Sequence, residues 1–301
     1  MRTPLYSEAS GKNSKFVVFR NSPGKVFAMN DVLVLFDFSA FSTAALKAAL
    51  HWSKVTKGRV HIFHHVETLL PGLTPVEFRK SWQEDAEKEA AEEIRTVLES
   101  VTDQDSEEIS IHVVSGYFIP RLLELTEKHN FQVVFLGTKG RGGAFSDILS
   151  GSVASKVITN LSVPIVAIPQ NYHSTSEFDL IVSVNTENSF HSSHLQKLLS
   201  NLRSSLRSVE FITVLNDEEG KDYAEKCLSQ IASELSGFTS CKYTILEGQD
   251  VYEELREIMK HRPNSIMVLQ KGEADDVKNV LGRSLVYELL RQHEVPVIIL
   301  P

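Results

Sequence analysis

The sequence predicts an α/β fold in which one unit occurs twice in tandem, each copy a five-stranded parallel sheet flanked by helices. One observation is that short β-rich runs alternate with helical patterns along both halves of the 301-residue chain. The other is that like residues of the two halves are separated by a constant 132 positions. The pairs are Gly116 with Gly248, Gly140 with Gly272, and Pro164 with Pro296.

Apolar runs typical of buried parallel strands predict the sheet of the first copy. The strands are Val32–Phe36, Val60–Val66, Ile109–Val114, Val133–Gly137 and Val163–Ile168. The predicted helices run from near Ser39 to about Lys54, from Pro75 onwards, over Pro120–His129, and from just after Gly151. The second of these helices begins with a capping box, Thr74-Pro75-Val76-Glu77, which places Pro75 at the first helical position.

The second copy repeats this order with a shorter early segment. Its predicted strands are Leu180–Val184, Val209–Val214, Lys242–Leu246, Ser265–Leu269 and Val295–Leu300. Near its start the separation is 148 positions, which matches Asp37 with Asn185 and Val66 with Val214. The second copy therefore lacks 16 residues of the first, and we expect the loss around Glu67–Arg79.

The polar stretch Gln170–Phe178 predicts the boundary between the copies. The domains are then residues 31–169 and 179–301, preceded by an N-terminal extension, residues 1–30. In that extension, two apolar runs flank Asn21-Ser22-Pro23-Gly24, which is typical of a β-hairpin.

Composition narrows the class of protein. The net charge of −8 argues against nucleic acid as a partner, because phosphate backbones require a basic face. The two cysteines, Cys227 and Cys241, indicate a reducing compartment. No apolar run reaches the ~20 residues of a membrane-spanning helix, and Met1-Arg2-Thr3-Pro4 does not open a signal peptide. We therefore expect a cytoplasmic protein without a membrane partner.

The stretch Gly137-Thr138-Lys139-Gly140-Arg141-Gly142-Gly143 follows an apolar strand and precedes a predicted helix. Glycines let a backbone approach a ligand closely, and a helix N-terminus offers unpaired N–H groups to phosphate. Several enzyme signatures are absent from the sequence, among them the Gly-x4-Gly-Lys-Ser/Thr phosphate loop and the Gly-x-Ser-x-Gly nucleophile elbow. The sequence thus indicates a nucleotide-binding site, with no evident general base beside a nucleophile.

These motifs resemble, in order, those of the universal stress protein family in its tandem form. The matching pieces are Val32–Ser39, His64-His65-Val66, Gly137-x-x-Gly140, Gly151-Ser152-Val153 and Val163-Pro164-Ile165-Val166. The resemblance covers about residues 31–169 and extends more faintly over residues 179–301. It implies two Rossmann-like (adenine nucleotide alpha hydrolase-like) domains.

The resemblance also implies a site for ATP, AMP or ADP, with Mg²⁺ as an accompanying ion. Asp37 would contact the adenosine part, and main-chain groups around Val66 would hold adenine. Gly137 and Gly140 would let the chain pass close to ribose and phosphates. Gly151, Ser152 and Val153 would present N–H groups to the phosphates, and we add Arg141 as a charge partner.

Each of these residues also has a purely structural explanation. Asp37 and Ser152 are residue types that cap helices, and glycines end many strands. Arg141 and Lys139 are ordinary surface charges. The three histidines of the second strand, His61, His64 and His65, do not predict a metal site, because alternation places His64 and His65 on opposite faces.

The second copy is expected to be degenerate. At the 132-residue separation Leu269 stands for Gly137, and Glu273 stands for Arg141 with Asp275 and Asp276 behind it. A leucine would fill the ribose position, and the carboxylates would repel phosphate. The last strands, Pro164–Ile168 and Pro296–Leu300, are predicted to pair antiparallel, as last strands do in the family, to give an intramolecular pseudo-dimer or a homodimer.

Three hypotheses follow. The first is a stress-response protein that binds an adenine nucleotide in its N-terminal copy. The second is an interaction module with both copies empty, which is favoured by the ten residues between Gly140 and Gly151 where the family has nine. The third is a slow ATPase. The sequence does not identify the protein partner.

Overall fold

One ten-stranded sheet runs through the protein. The computed structural model describes residues 30–67, 75–102, 109–139, 152–186, 190–216, 218–271 and 295–301. The strands are β1 Val32–Leu35, β2 Val60–Val66, β3 Ile109–Ser115, β4 Val133–Gly137, β5 Ile165–Ile168, β6 Phe178–Ser183, β7 Leu206–Leu215, β8 Ser240–Glu247, β9 Ser265–Gln270 and β10 Val297–Leu300.

Seven helices are described between these strands. They are α1 Ala40–Thr56, α2 Val76–Val101, α3 Phe118–Lys128, α4 Ser152–Asn160, α5 Ser192–Leu202, α6 Lys221–Leu235 and α7 Val251–Lys260. None of the helices in this described part of the chain is long and apolar enough to cross a membrane. The hairpin predicted for the N-terminal extension lies outside the described residues.

Strand order shows that the sheet is built from two copies of one arrangement. The order is β3-β2-β1-β4-β5-β10-β9-β6-β7-β8. From its outer edge inwards, each half therefore presents its third, second, first, fourth and fifth strand. Neighbours within a half are parallel. The α/β class and the repeated five-stranded sheet are confirmed.

The two halves meet through their last strands. Val297 lies opposite Ala167, Ile298 opposite Val166 and Ile299 opposite Ile165, in an antiparallel ladder. These side chains are at most 2% exposed. The pairing expected between residues 164–168 and 296–300 is present, and it covers two sheet edges that would otherwise be open.

Helices cover both faces of the sheet, as continuously buried parallel strands require. One face carries a single apolar cluster that takes in α1 and α2 of the first copy and α5 and α6 of the second. The other face packs against α3, α4 and α7. Both clusters contain residues from the two copies, so the apolar core is continuous across the β5–β10 contact.

The difference in length between the copies falls mainly within one helix. Helix α2 has 26 residues, and its counterpart α6 has 15. The predicted loss around residues 67–79 includes the start of α2, and the difference in helix length extends it further into this helix. Helix α2 also begins one residue later than its capping box predicts, because Pro75 is the N-cap and Val76 the first helical residue.

The repeat is one residue out of step at two places. Phe178 of β6 pairs with Leu206 of β7, but the next residue, Asp179, pairs with Ser208. Arg207 is therefore an extra residue in β7. Leu33 pairs with Val134, whereas its counterpart Ile181 pairs with Met267, a separation of 133 positions. A constant separation of 132 therefore misaligns β4 with β9.

We expect a disulfide to form within one chain when Val166 and Ile298, which lie opposite each other, are replaced by cysteine in a Cys227→Ser/Cys241→Ser background. Opposed Cα atoms of antiparallel strands are about 4.5–5.5 Å apart, which lies within the range that a disulfide spans. Non-reducing gel electrophoresis would show a faster monomer. The control pair Val166→Cys/Ile299→Cys places the thiols on opposite faces and should not crosslink. A covalent dimer from the first pair would instead show that β5 pairs with another chain.

Candidate functional site

The carboxyl ends of three adjacent strands bring together the N-terminal part of the predicted site. Strand β1 lies between β2 and β4. Asp37 follows β1, Val66 ends β2 and Gly137 ends β4, all at one edge of the sheet. Open α/β sheets bind ligands at this edge, in the crevice where the strand order reverses.

The remaining predicted residues are partly outside the described chain. Gly140, Arg141 and Gly151 lie outside the described residues, as do Glu273, Asp275 and Asp276 of the second copy. Ser152 and Val153 form the first turn of α4. Their backbone N–H groups are therefore at the N-terminus of a helix that follows β4, which is the position the resemblance implies.

Asp37 organises the turn between β1 and α1. The N-cap of α1 is Ser39, whose Oγ accepts a hydrogen bond from the Ser42 N–H at 2.9 Å. Asp37 Oδ1 accepts from the Ser39 N–H at 3.1 Å. Asp37 thus holds the N-cap residue in place and does not itself cap the helix. Its side chain is half-buried.

Two aromatic side chains and a histidine fix the same turn. Phe38 has a φ of +61°, a conformation that is uncommon for a large side chain. Its ring packs edge-on against Phe36 at 5.1 Å and against His64 at 4.8 Å. His64 Nδ1 is 2.7 Å from the Phe36 carbonyl, to which it donates a hydrogen bond, and burial lowers the pKa of His64. Sequence analysis missed Phe38, since a positive φ at phenylalanine leaves no sequence signal.

Gly137 is required by packing. A Cβ atom at this position would lie 2.7 Å from the carbonyl carbon and Cβ of Phe41, and 2.8 Å from the Ser42 nitrogen. The contacts are with the first turn of α1, which crosses the end of β4. The absence of a side chain at Gly137 is therefore explained by the close approach of α1, whether or not a ligand binds.

Thr138, the next residue, contains the unexplained polar atom of this region. The side chain is fully buried, and Oγ1 has no hydrogen-bond partner in the described structure. Its backbone N–H donates to the Ile168 carbonyl at 3.0 Å. A buried hydroxyl without a partner costs about 1–3 kcal/mol. The carboxyl end of β4 therefore holds a polar group for which the described residues supply no partner.

In the second copy this position is filled. Gly137 lies beside Ile168, and the equivalent Leu300 lies beside Gln270. The counterpart of Gly137 is thus Gln270, and the assignment of Leu269 to that position was wrong by one residue. Leu269 is instead buried in the apolar cluster that packs against α3, α4 and α7. Gln270 Oε1 accepts a hydrogen bond from the His191 N–H at 3.0 Å, so its side chain closes the space above the strand end.

The three histidines of β2 lie in different environments and contact different groups. His64 contacts the Phe36 carbonyl, and His65 Nε2 lies 2.6 Å from the Gly116 carbonyl on the other face, as alternation predicts. No group of three or more His, Cys, Asp or Glu side chains within the described ranges has the arrangement of a metal site. His61 faces the far, amino-terminal edge of the sheet.

At that edge His61 belongs to a buried histidine cluster that the sequence did not predict. His61 Nδ1 and His112 Nε2 are 2.9 Å apart, their rings are stacked, and His129 packs against both. Arg59 Nη2 donates to Asp31 Oδ2 at 2.8 Å, and His61 Nε2 lies 3.4 Å from the same oxygen. Burial would raise the pKa of Asp31, but hydrogen bonds from His61 and Arg59 lower it to about 2.

An open cavity of about 400 Å³ lies at the corresponding amino-terminal edge of the second copy. Glu210 pairs there with Ile181 as His61 pairs with Leu33, and so takes the place of His61. It accepts from Thr244 at 2.7 Å and forms ion pairs with Lys242 and Arg262. The two copies therefore keep a polar network at the same place with different chemistry.

Comparisons with known proteins agree with this geometry. Residues 29–169 match the model of the Universal stress protein family. The first copy therefore belongs to the universal stress protein family. The matched residues cover the first copy, including β1–β5 and the candidate site. No curated protein matches the chain.

Solved structures show the same fold over nearly the whole chain. A universal stress protein from Archaeoglobus fulgidus DSM 4304 has 16% identity and a TM-score of 0.65, covering 91% of this chain and 99% of its own. A functionally unknown protein from Pseudomonas aeruginosa PAO1 has 12% identity and a TM-score of 0.58, covering 91% and 92%. At these identities the likeness concerns the fold, and it extends through the second copy.

Gly137→Ala should lower the free energy of unfolding by about 2 kcal/mol, because the added methyl meets the backbone of α1, which cannot move without disturbing β4. Urea denaturation monitored by circular dichroism would measure this. Gly237→Ala is the matched control, since nothing lies within 4 Å of a Cβ there. Equal stability of the two variants would contradict the assigned packing role.

Stability should fall in mild acid because of His112. Burial, then the neighbouring His61 and His129, lower the pKa of His112 from 6.5 to about 3. The folded protein keeps this ring neutral, while the unfolded chain protonates it below pH 6.5, so stability is lost as pH falls from about 6.5 towards 3. Between pH 7.5 and pH 5 we expect about 2 kcal/mol of loss from this group, by urea denaturation.

The variant His112→Gln should reduce that pH dependence. His261→Gln, which changes an exposed histidine of the second copy, should leave it unchanged. An undiminished loss in His112→Gln would place the acid sensitivity elsewhere.

Proposed function

We propose that the universal stress protein domain formed by residues 31–169 binds an adenine nucleotide, with ATP as the ligand, in a stress-response role. Residues 179–301 form the second domain, which completes the sheet and pairs with the first as a pseudo-dimer. Residues 1–30 precede them as an extension.

The observation that carries this proposal is the buried Oγ1 of Thr138 at the carboxyl end of β4, which has no hydrogen-bond partner among the residues that the structure describes. The half-buried Asp37 carboxylate lies at the end of the adjacent strand β1. Helix α4 begins at Ser152, after the same strand β4. A ligand with ribose hydroxyls and phosphates supplies donors for Asp37, partners for Thr138 and anionic oxygens for a helix N-terminus.

The residue roles follow the family pattern. Asp37 would receive the adenosine part, and the main chain at Val66 would flank adenine. Gly151, Ser152 and Val153 would present their N–H groups to the phosphates, and Gly140 would allow close approach. Arg141 would pair with the phosphate charge. Magnesium, which favours phosphate oxygens and few protein ligands, would enter with the nucleotide.

We propose that nucleotide binding changes the conformation or partner affinity of the protein. The second copy supports a nucleotide site in the first copy alone, since Gln270 and Lys271 stand where the first copy has Gly137 and Thr138. The Lys271 N–H donates to Leu300 as that of Thr138 donates to Ile168, and Lys271 Nζ donates to the Leu161 carbonyl of the first copy.

A second candidate function is an interaction module that binds no nucleotide. The packing role of Gly137 favours it, because that glycine is explained by α1 alone. The two candidates differ in the expected behaviour of Thr138, whose hydroxyl would gain a partner when a nucleotide binds.

Thr138→Val separates the two candidates. It removes a hydroxyl that has no partner among the described residues, so the ligand-free protein should gain about 1 kcal/mol in the free energy of unfolding. For ATP binding measured by isothermal titration calorimetry, we expect Thr138→Val and Asp37→Ala each to weaken affinity about tenfold, with Asn185→Ala of the second copy as the control. No heat with millimolar ATP, AMP or ADP would reject the nucleotide site and leave the interaction module.

A further inference from the structure

Helix α2 extends well beyond the edge of the sheet that carries the candidate site. Its buried side chains begin only at Ala90. Glu87 hydrogen-bonds Ser115, the last residue of β3, and burial raises the pKa of Glu87. Residues 76–86 therefore project past the end of β3. At 1.5 Å per residue this overhang is about 16 Å long.

The overhang exposes large apolar side chains. Val76 is 75% exposed, Phe78 71% and Trp82 62%. These are three of the six large apolar side chains that are exposed in the described part of the chain. Phe78 and Trp82 are four residues apart and so lie on one face of the helix. Two aromatic rings thus stand together in solvent, where water contact is unfavourable.

The same face continues as a row of carboxylates. Beyond Trp82 the same face carries three exposed carboxylates, at successive steps of three, four and three residues. They are Asp85, Glu89 and Glu92. This spacing of 4, 3, 4 and 3 residues is that of the contact positions of a coiled coil. We name these five residues the outer stripe. It is apolar at its N-terminal end and acidic along the rest.

Two carboxylates of the outer stripe form ion pairs within α2 that a partner can displace. Lys88 lies 3.7 Å from Asp85, and the half-buried Arg95 pairs with the exposed Glu92, both within α2. Exposed pairs of this kind contribute about 0.3–0.5 kcal/mol. Cations from a partner can therefore replace them at small cost.

We propose that the outer stripe is a docking site for a basic amphipathic helix of a partner protein. Large apolar side chains of that helix cover Phe78 and Trp82, and its lysine or arginine side chains pair with Asp85, Glu89 and Glu92. Helices recognise helices in this way, with anchors every three or four residues. The proposal goes beyond nucleotide binding and does not depend on it.

Charge selects this occupant over others. A second copy of this chain would bring its own outer stripe and a net charge of −8, so carboxylates would face carboxylates or aromatic rings. An anionic membrane or nucleic acid would be repelled by the same carboxylates. The shorter α6 leaves the second domain without an equivalent overhang.

Tryptophan fluorescence tests the proposal. The chain has two tryptophans, and only Trp82 is exposed, because Trp52 is 6% exposed. The probe is a synthetic helical peptide with leucines at two successive contact positions and lysines at the next three. We expect it to shift Trp82 emission to shorter wavelength in a saturable manner. Affinity should weaken several-fold when salt is raised from about 50 to 500 mM.

Variants and a second peptide decide the outcome. Phe78→Ser and Glu89→Lys should each weaken binding about tenfold, whereas Tyr223→Ser, which removes an exposed aromatic ring from α6, should not. A peptide with glutamates in place of the lysines should not bind. Equal binding of both peptides, no shift at millimolar peptide, or self-association in sedimentation that Phe78→Ser abolishes would each overturn the proposal.

Discussion

The antiparallel ladder between β5 and β10 is the contact on which the rest of the structure depends. Each half alone would be a five-stranded sheet with its fifth strand exposed along one edge, an arrangement that favours aggregation. Joining these strands converts two open edges into the centre of a ten-stranded sheet. The apolar clusters on both faces then run through both copies, so the second domain contributes to the core that supports the first.

The candidate site combines groups that packing explains with one that it does not. Gly137 admits α1, Ser39 caps that helix, and Asp37 holds the cap in place. Thr138 Oγ1 is buried and has no hydrogen-bond partner in the described part of the chain, so the packing seen there does not explain it. Strained or unsatisfied groups that persist beside a well-packed core are commonly functional. The second copy supports this interpretation, because it has replaced the corresponding residues with side chains that have partners.

Periodicity was sufficient to predict the fold, because buried parallel strands are continuous apolar runs. The bounds of β2 and β4 were predicted to the residue, whereas the pairing of β5 with β10 was expected from the family resemblance. The site was harder. A single extra residue moves the counterpart of Gly137 from Leu269 to Gln270, and spacing alone does not reveal it. The positive φ of Phe38 and the pairing of His61 with His112 arise from tertiary contacts between distant segments.

The long separation between β5 and β10 has a consequence for synthesis on the ribosome. Val166 and Ile298 pair directly but are 132 positions apart in the chain. At about 5–20 residues per second, the edge of β5 waits roughly 7–26 s for its partner. During that interval the β5 margin of the first copy has no strand to cover it. A nascent chain is therefore exposed to pairing with its neighbours on the same messenger RNA until β10 emerges.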